Sequence, residues 1–169
     1  MSVVAPTTHE RVMQRDDFII SKTDTHGKII YCNEIFMDMS AMTEAELLGK
    51  PHSIIRHPDM PKTIFKLLWE QIKAQKEIFA YVKNLSKDGS FYWVFANVTP
   101  SFDFKGNVIG YYSVRIKPSE KAMAVIKPLY ETLLKIENSE GLDEATTYLN
   151  DLLKEKGVNY DEFVISLQA

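Results

Sequence analysis

The sequence predicts an α+β domain: one antiparallel five-stranded sheet with helices on one face, followed by a C-terminal helical extension. Three observations carry this. Ile64, Phe65, Leu68, Trp69 and Ile72 recur at intervals of one, three and four, the pattern of one long amphipathic helix over Pro61–Gln75. The period then changes, and loosely alternating, aromatic-rich runs at Ile78–Leu85, Ser90–Phe102 and Val108–Lys117 read as a meander. The turns between them are Lys87-Asp88-Gly89 and Asp103–Asn107, both with glycine where a tight reversal needs positive φ.

Earlier in the chain, Phe18–Thr23 and Lys28–Cys32 read as a hairpin closed by Asp24-Thr25-His26-Gly27. Met1–Arg15 has no clear period and reads as a lead or an unassigned helix. Asn33 suits the cap of a helix over Glu34–Met39. Thr43 with Glu46 three residues on is a capping box, and Gly49 ends that short helix. Past Ser119, Ala122, Ile126, Leu129, Leu133 and Ile136 form an apolar seam, which Pro128 is expected to kink or split. Leu142–Lys156 is a further amphipathic helix, and Asn159 with Glu162 starts a last one. Whether this tail packs on its own sheet or on a partner stays open from the sequence. The division expected is a lead at 1–16, a main domain at 17–118 and the extension at 119–169.

The totals exclude several function classes. The 169 residues carry a net charge of −3, so no electrostatic pull toward nucleic acid is expected. The single cysteine, Cys32, rules out an internal disulfide or a multi-cysteine zinc site and suits a reducing compartment. No apolar run approaches membrane-spanning length, which argues against direct membrane insertion and for a cytoplasmic protein. No hydrolase, P-loop, metalloprotease or Rossmann motif is present, so the chain does not read as an enzyme.

The chemistry concentrates at Gly49–Pro61. Pro51, Pro58 and Pro61 cut this stretch into a turn of helix near His52–Ile55 and a sharp connection into the long helix. His52, Arg56, His57 and Asp59 sit on this stiffened backbone. Taken singly each reads as a cap, an ion pair or a surface residue; taken together they read as a ligand site. Arg56 offers a planar charged fork suited to phosphate, His57 a further donor, and the helix start at Pro61 a set of backbone N–H groups.

The run Gly49-Lys50-Pro51-His52-Ser53-Ile54-Ile55-Arg56-His57-Pro58-Asp59-Met60-Pro61, then Phe65 and Trp69, resembles the PAS domain of bacterial aerotaxis receptors. Val82-Lys83-Asn84, Lys87 with Gly89, Tyr92-Trp93-Val94, and Ile126 with Pro128-Leu129-Tyr130 extend the resemblance from Asp17 to Leu134. It implies a PAS fold that holds FAD non-covalently and reports redox state to the chemotaxis machinery. Aerotaxis receptors continue into a membrane anchor and a kinase-control domain. This chain ends at Ala169, so it is more similar to the stand-alone PAS proteins of bipartite energy-taxis systems. The expected partner is then a transmembrane chemoreceptor-type protein, with homodimerisation left open.

By the same resemblance, Arg56, His57 and Asp59 are positions on which flavin binding depends. Asn84 matches an asparagine placed on the flavin edge, and Arg115 falls where blue-light sensors use a glutamine near N5 and O4. A positive group there favours the reduced ring. Trp93 is included as an aromatic contact, although an aromatic on a strand also reads as plain core. Blue-light photochemistry is not expected, because Cys32 ends a strand instead of lying on the short helix before the long one. A haem-binding gas sensor using His52 or His57, a flavin-dependent oxidoreductase, or a ligand-free interaction module, are the alternative readings. Arg115's strand leads to Pro118, which makes Ser119–Ala169 the expected output surface.

Overall fold

The computed structural model describes residues 4–169. Five strands form one sheet: β1 (Ile19–Thr23), β2 (Ile29–Cys32), β3 (Ile78–Leu85), β4 (Phe91–Phe102) and β5 (Val108–Ile116). The strand order is β2-β1-β5-β4-β3, and every pairing is antiparallel. Between β2 and β3 lie α1 (Glu34–Ser40), α2 (Glu44–Leu47), a 3-10 turn at His52–Ile55 and α3 (Lys62–Lys73). After β5 come α4 (Glu120–Ser139), α5 (Leu142–Lys156) and α6 (Tyr160–Gln168).

Side-chain alternation along the strands divides the core into two clusters. Tyr92, Val94 and Ala96 of β4 join Ile19, Ile29, Phe36, Leu47 and Ile55 on the inner face, under α1, α2 and the 3-10 turn. Trp93, one residue out of phase, joins Tyr81 and the apolar faces of α4, α5 and α6 on the outer face. The seam residues Ala122, Ile126, Leu129 and Leu133 are therefore spent on the protein's own sheet. Two tyrosines stitch this layer: Tyr130 Oη donates to the Tyr81 carbonyl at 2.6 Å, and Tyr81 Oη donates to the Val164 carbonyl at 2.7 Å. Pro128 lies inside α4, which runs through it as one helix rather than two.

The segment before β1 differs from the expectation of a loose lead. It is extended and runs beside the β3–β4 turn: Thr7 N–H donates to Gly89 O, Phe91 N–H to His9 O, and Arg11 N–H to Phe91 O. Arg11 also bonds Ser90 Oγ, the Asp38 carbonyl and Asp88, and Met13 is buried in the inner cluster. The segment's polar composition hides this, because backbone groups make most of the contacts. Met1, Ser2 and Val3, which belong to the same expected lead, lie outside the described residues.

Gly89 is the pivot of that contact. Its φ is +90°, and a Cβ there would meet the Ala5 carbonyl oxygen at 2.5 Å. Gly89→Ala is expected to destabilise the fold by about 1–3 kcal/mol, the usual scale for backbone strain in this region. Denaturant unfolding checks this, and limited proteolysis should show faster cleavage at residues 5–11.

Candidate functional site

A cavity of about 240 Å³ lies between the inner face of the sheet and the connection from β2 to α3. Its floor is Ile78, Val82 and Asn84 from β3, Ala96 and Val98 from β4, and Tyr111, Ser113 and Arg115 from β5. Its walls are His52, Ser53, Ile55 and Arg56, then Phe65, Leu68, Trp69 and Ile72 of α3, with Thr23, Thr25 and Gly27 closing one end. The apolar stripe of α3 thus serves both readings open in the sequence: Ile64 is core, and its neighbours wall the cavity. Alanine and serine at 96 and 113 leave the space that larger inward-facing residues would fill.

Arg115 dominates the chemistry of this cavity. It is 3% exposed, and no carboxylate lines the cavity with it. Nη1 donates to His52 Nε2 at 2.8 Å, and Nη2 donates to Ser21 Oγ at 2.9 Å. Nε finds no partner and is buried. The guanidinium lies 4.7 Å above the Phe36 ring, a cation–π contact that supplies some stabilisation without an anion. Desolvation brings its pKa down to about 10, far enough above neutrality that the charge persists. A guanidinium only donates, so His52 Nε2 accepts and its proton sits on Nδ1. Desolvation, then the charge of Arg115, pushes the His52 pKa down to about 3.

Arg56 holds the cavity mouth. Its backbone pairs with Asn84, and its guanidinium stacks on Phe65 at 3.9 Å. The segment after it runs along the edge of β3, where Met60 Sδ accepts from the Lys83 N–H. His57 and Asp59 shape this segment and do not line the cavity. His57 is buried, its Nδ1 accepts the Asp59 N–H at 3.0 Å, and its ring edges onto Phe91. Asp59 pairs with Lys83 at 2.8 Å. Burial, then Lys83, lowers the His57 pKa, so this histidine is held neutral as well.

The structure therefore brings Arg56, Asn84 and Arg115 to one cavity and puts His57 and Asp59 behind Arg56. It separates Trp93 from them: strand alternation turns that ring to the outer face, 5.8 Å from Tyr130. The α3 N-terminus is also otherwise engaged. Both oxygens of Glu137, on α4, accept from Lys62 and Thr63 N–H at 3.2 Å, so those donors do not await a phosphate. Asn33 is a cap, accepting from Phe36 N–H. Cys32 is buried and off the cavity lining. Sequence reasoning left His52 outside the flavin set and missed Ser21 altogether. Alternation in Ile19-Ile20-Ser21-Lys22-Thr23 puts Ser21 on the buried face with Ile19, the signal that could have found it.

The two histidines give a pH dependence. A folded pKa below the unfolded value means the unfolded chain takes up protons first, so stability is full above about pH 6.5 and falls as pH drops toward the folded value. Stability should decline between pH 6.5 and 4.5, before most carboxylates titrate. His52→Gln should flatten that decline while His57 keeps part of it, as read from urea midpoints across pH.

Residues 29–115, just over half of the chain, match the family model of the PAS fold. The aerotaxis receptor of Escherichia coli K12 is 38% identical over 118 residues, which are 70% of this chain and 23% of that protein. Among curated relatives, the chain spans only 16–23% of their length. A light-oxygen-voltage domain solved with a flavin analogue superposes with a TM-score of 0.55 at 23% identity, covering 73% of this chain and 87% of that one. The light-state Aureochrome1 light-oxygen-voltage domain gives 0.55 at 22%, covering 73% and 92%. At such identities these structures speak for the fold alone. Among the described residues no helix is long and apolar enough to cross a membrane, and no cluster of histidine, cysteine and acidic residues suits a metal. The chain belongs to the PAS-fold family.

Proposed function

We propose that this chain is a sensory PAS module that holds FAD non-covalently and reports redox state, acting as a sensor and not as an enzyme. The observation that carries the reading is the buried Arg115, with no carboxylate beside it, in a mostly apolar cavity. Burying a cation without an anion is costly, and its orphaned Nε–H calls for an acceptor-rich partner. The polar edge of a flavin ring, with its carbonyl oxygens and ring nitrogen, is such a partner, and Asn84 adds an amide that both donates and accepts. The cavity is smaller than the roughly 300–1,000 Å³ usual for whole ligands. The lining residues would hold a planar ring, and Arg56 at the mouth would meet the phosphates. Arg56 is then the phosphate clamp, with His57, Asp59 and Lys83 fixing the loop that aims it.

When bound, the flavin supplies reversible electron transfer, and the protein supplies a fixed positive charge at the ring edge. Similarity to an aerotaxis receptor supports a chemotaxis role, with a transmembrane chemoreceptor-type protein as partner and the cytoplasm as location. The geometry speaks against haem. His52 Nε2 is taken by Arg115, and His57 Nδ1 by a backbone N–H, so neither offers a free lone pair to the cavity.

Gently purified protein should be yellow and release FAD on denaturation. Stoichiometric haem, FMN alone or no chromophore would overturn the reading. Arg56→Ala should lose FAD affinity at least about tenfold, the scale of one charge-assisted hydrogen bond, with its unfolding midpoint little changed. Titration of apoprotein with FAD measures this.

A further inference from the structure

We propose that His52 and Ser21 are positioning residues that lock the Arg115 guanidinium in one orientation and so fix where its positive charge meets a bound ligand. Four polar atoms on three residues close a ring. Arg115 Nη1–H donates to His52 Nε2 at 2.8 Å, Arg115 Nη2–H donates to Ser21 Oγ at 2.9 Å, and Ser21 Oγ lies 3.1 Å from the same Nε2. The proton placement follows from the donor inventory. Nε2 carries no proton, since Arg115 has none but donors to offer it. Ser21 Oγ accepts from Nη2 and lies beside Nε2, whose single in-plane lone pair is directed to the closer donor, Nη1–H. This arrangement requires neutral His52.

Phe36 completes the lock from below. Its ring carries the guanidinium at 4.7 Å and tilts against the His52 ring at 5.7 Å, so one aromatic side chain supports both partners. β1 and β5 pair directly, which sets Ser21 beside Arg115 through the Ile19↔Arg115 and Ser21↔Ser113 register. Of the five N–H bonds of a guanidinium, two are consumed by the lock. The others stay available, with no carboxylate in the cavity to recruit them. Without the lock a long side chain with several rotatable bonds would spread that charge over many positions. Site preorganisation, not an added contact to the ligand, is what these two residues contribute.

The test uses nitrogen-15 NMR of the arginine side chain, in the protein as purified and after flavin removal. The wild type should show separate Arg115 Nη signals that exchange slowly. In His52→Leu, rotation about the guanidinium should quicken by about tenfold or more, since each hydrogen bond to a charged group is worth at least that factor. His52→Gln, whose carbonyl still accepts, should stay close to wild type. Slow, separate signals in a folded His52→Leu would overturn the lock. If His52→Leu does not fold, Ser21→Ala decides: quickened rotation supports the proposal, and unchanged rotation overturns it. Where flavin is bound, its midpoint potential should fall in His52→Leu and hold in His52→Gln; equal potentials in all three proteins would also overturn it. The proposal bears on a flavin through the functional reading above, but the side-chain NMR needs none. Protein that never carries flavin would sink that reading and leave the lock to stand or fall by its own signals.

Discussion

A permanent positive charge buried in a mostly apolar cavity without an anion is the constraint around which this domain is arranged. Burying an isolated ion costs several kcal/mol even after relaxation. Two hydrogen bonds to neutral acceptors and one aromatic face return part of that. The remainder is a standing preference for a ligand that brings acceptors or negative charge. The inner face of the sheet is built to keep that preference usable. Ala96 and Ser113 leave room over the floor, and Phe36 and His52 hold the cation at one end.

The second cation, Arg56, is treated differently. It stays at the mouth, on the face of Phe65, and the residues behind it do the fixing. His57 ties its ring nitrogen to the Asp59 backbone, Asp59 ties its carboxylate to Lys83, and Met60 ties the loop to the edge of β3. The loop so formed leads directly into α3. That helix walls the cavity with Phe65 and Trp69, contributes Ile64 to the outer core and is capped by Glu137 of α4. The cavity and the C-terminal helices therefore share α3, a second physical connection beside the route from Arg115 along β5 and through Pro118 that the sequence suggests.

The fold was largely legible from periodicity. The α3 stripe, the three-strand meander and the capping signals at Asn33, Thr43 and Asn159 all mark elements near their observed bounds. Local chemistry determines such features, and local chemistry is what a sequence displays. The N-terminal segment was not legible, because its order comes from backbone pairing with Gly89 and Phe91 across the chain. The site was legible as a place more than as a set of roles. Arg56, Asn84 and Arg115 share the cavity, whereas His57 and Asp59 act one layer back, and the pleat turns Trp93 away. Ser21 and Glu137 gave no motif. Each matters because a distant residue meets it, Arg115 for one and the start of α3 for the other.

The central claim is that the cavity receives a flavin ring with its acceptor edge on Arg115. A crystal structure of the protein crystallised with added FAD tests this most directly. The account predicts the ring between α3 and the sheet, with a flavin oxygen or nitrogen within hydrogen-bond reach of the Arg115 guanidinium and the phosphates at Arg56. A ring bound anywhere else, or an Arg115 without contact to it, would contradict the account.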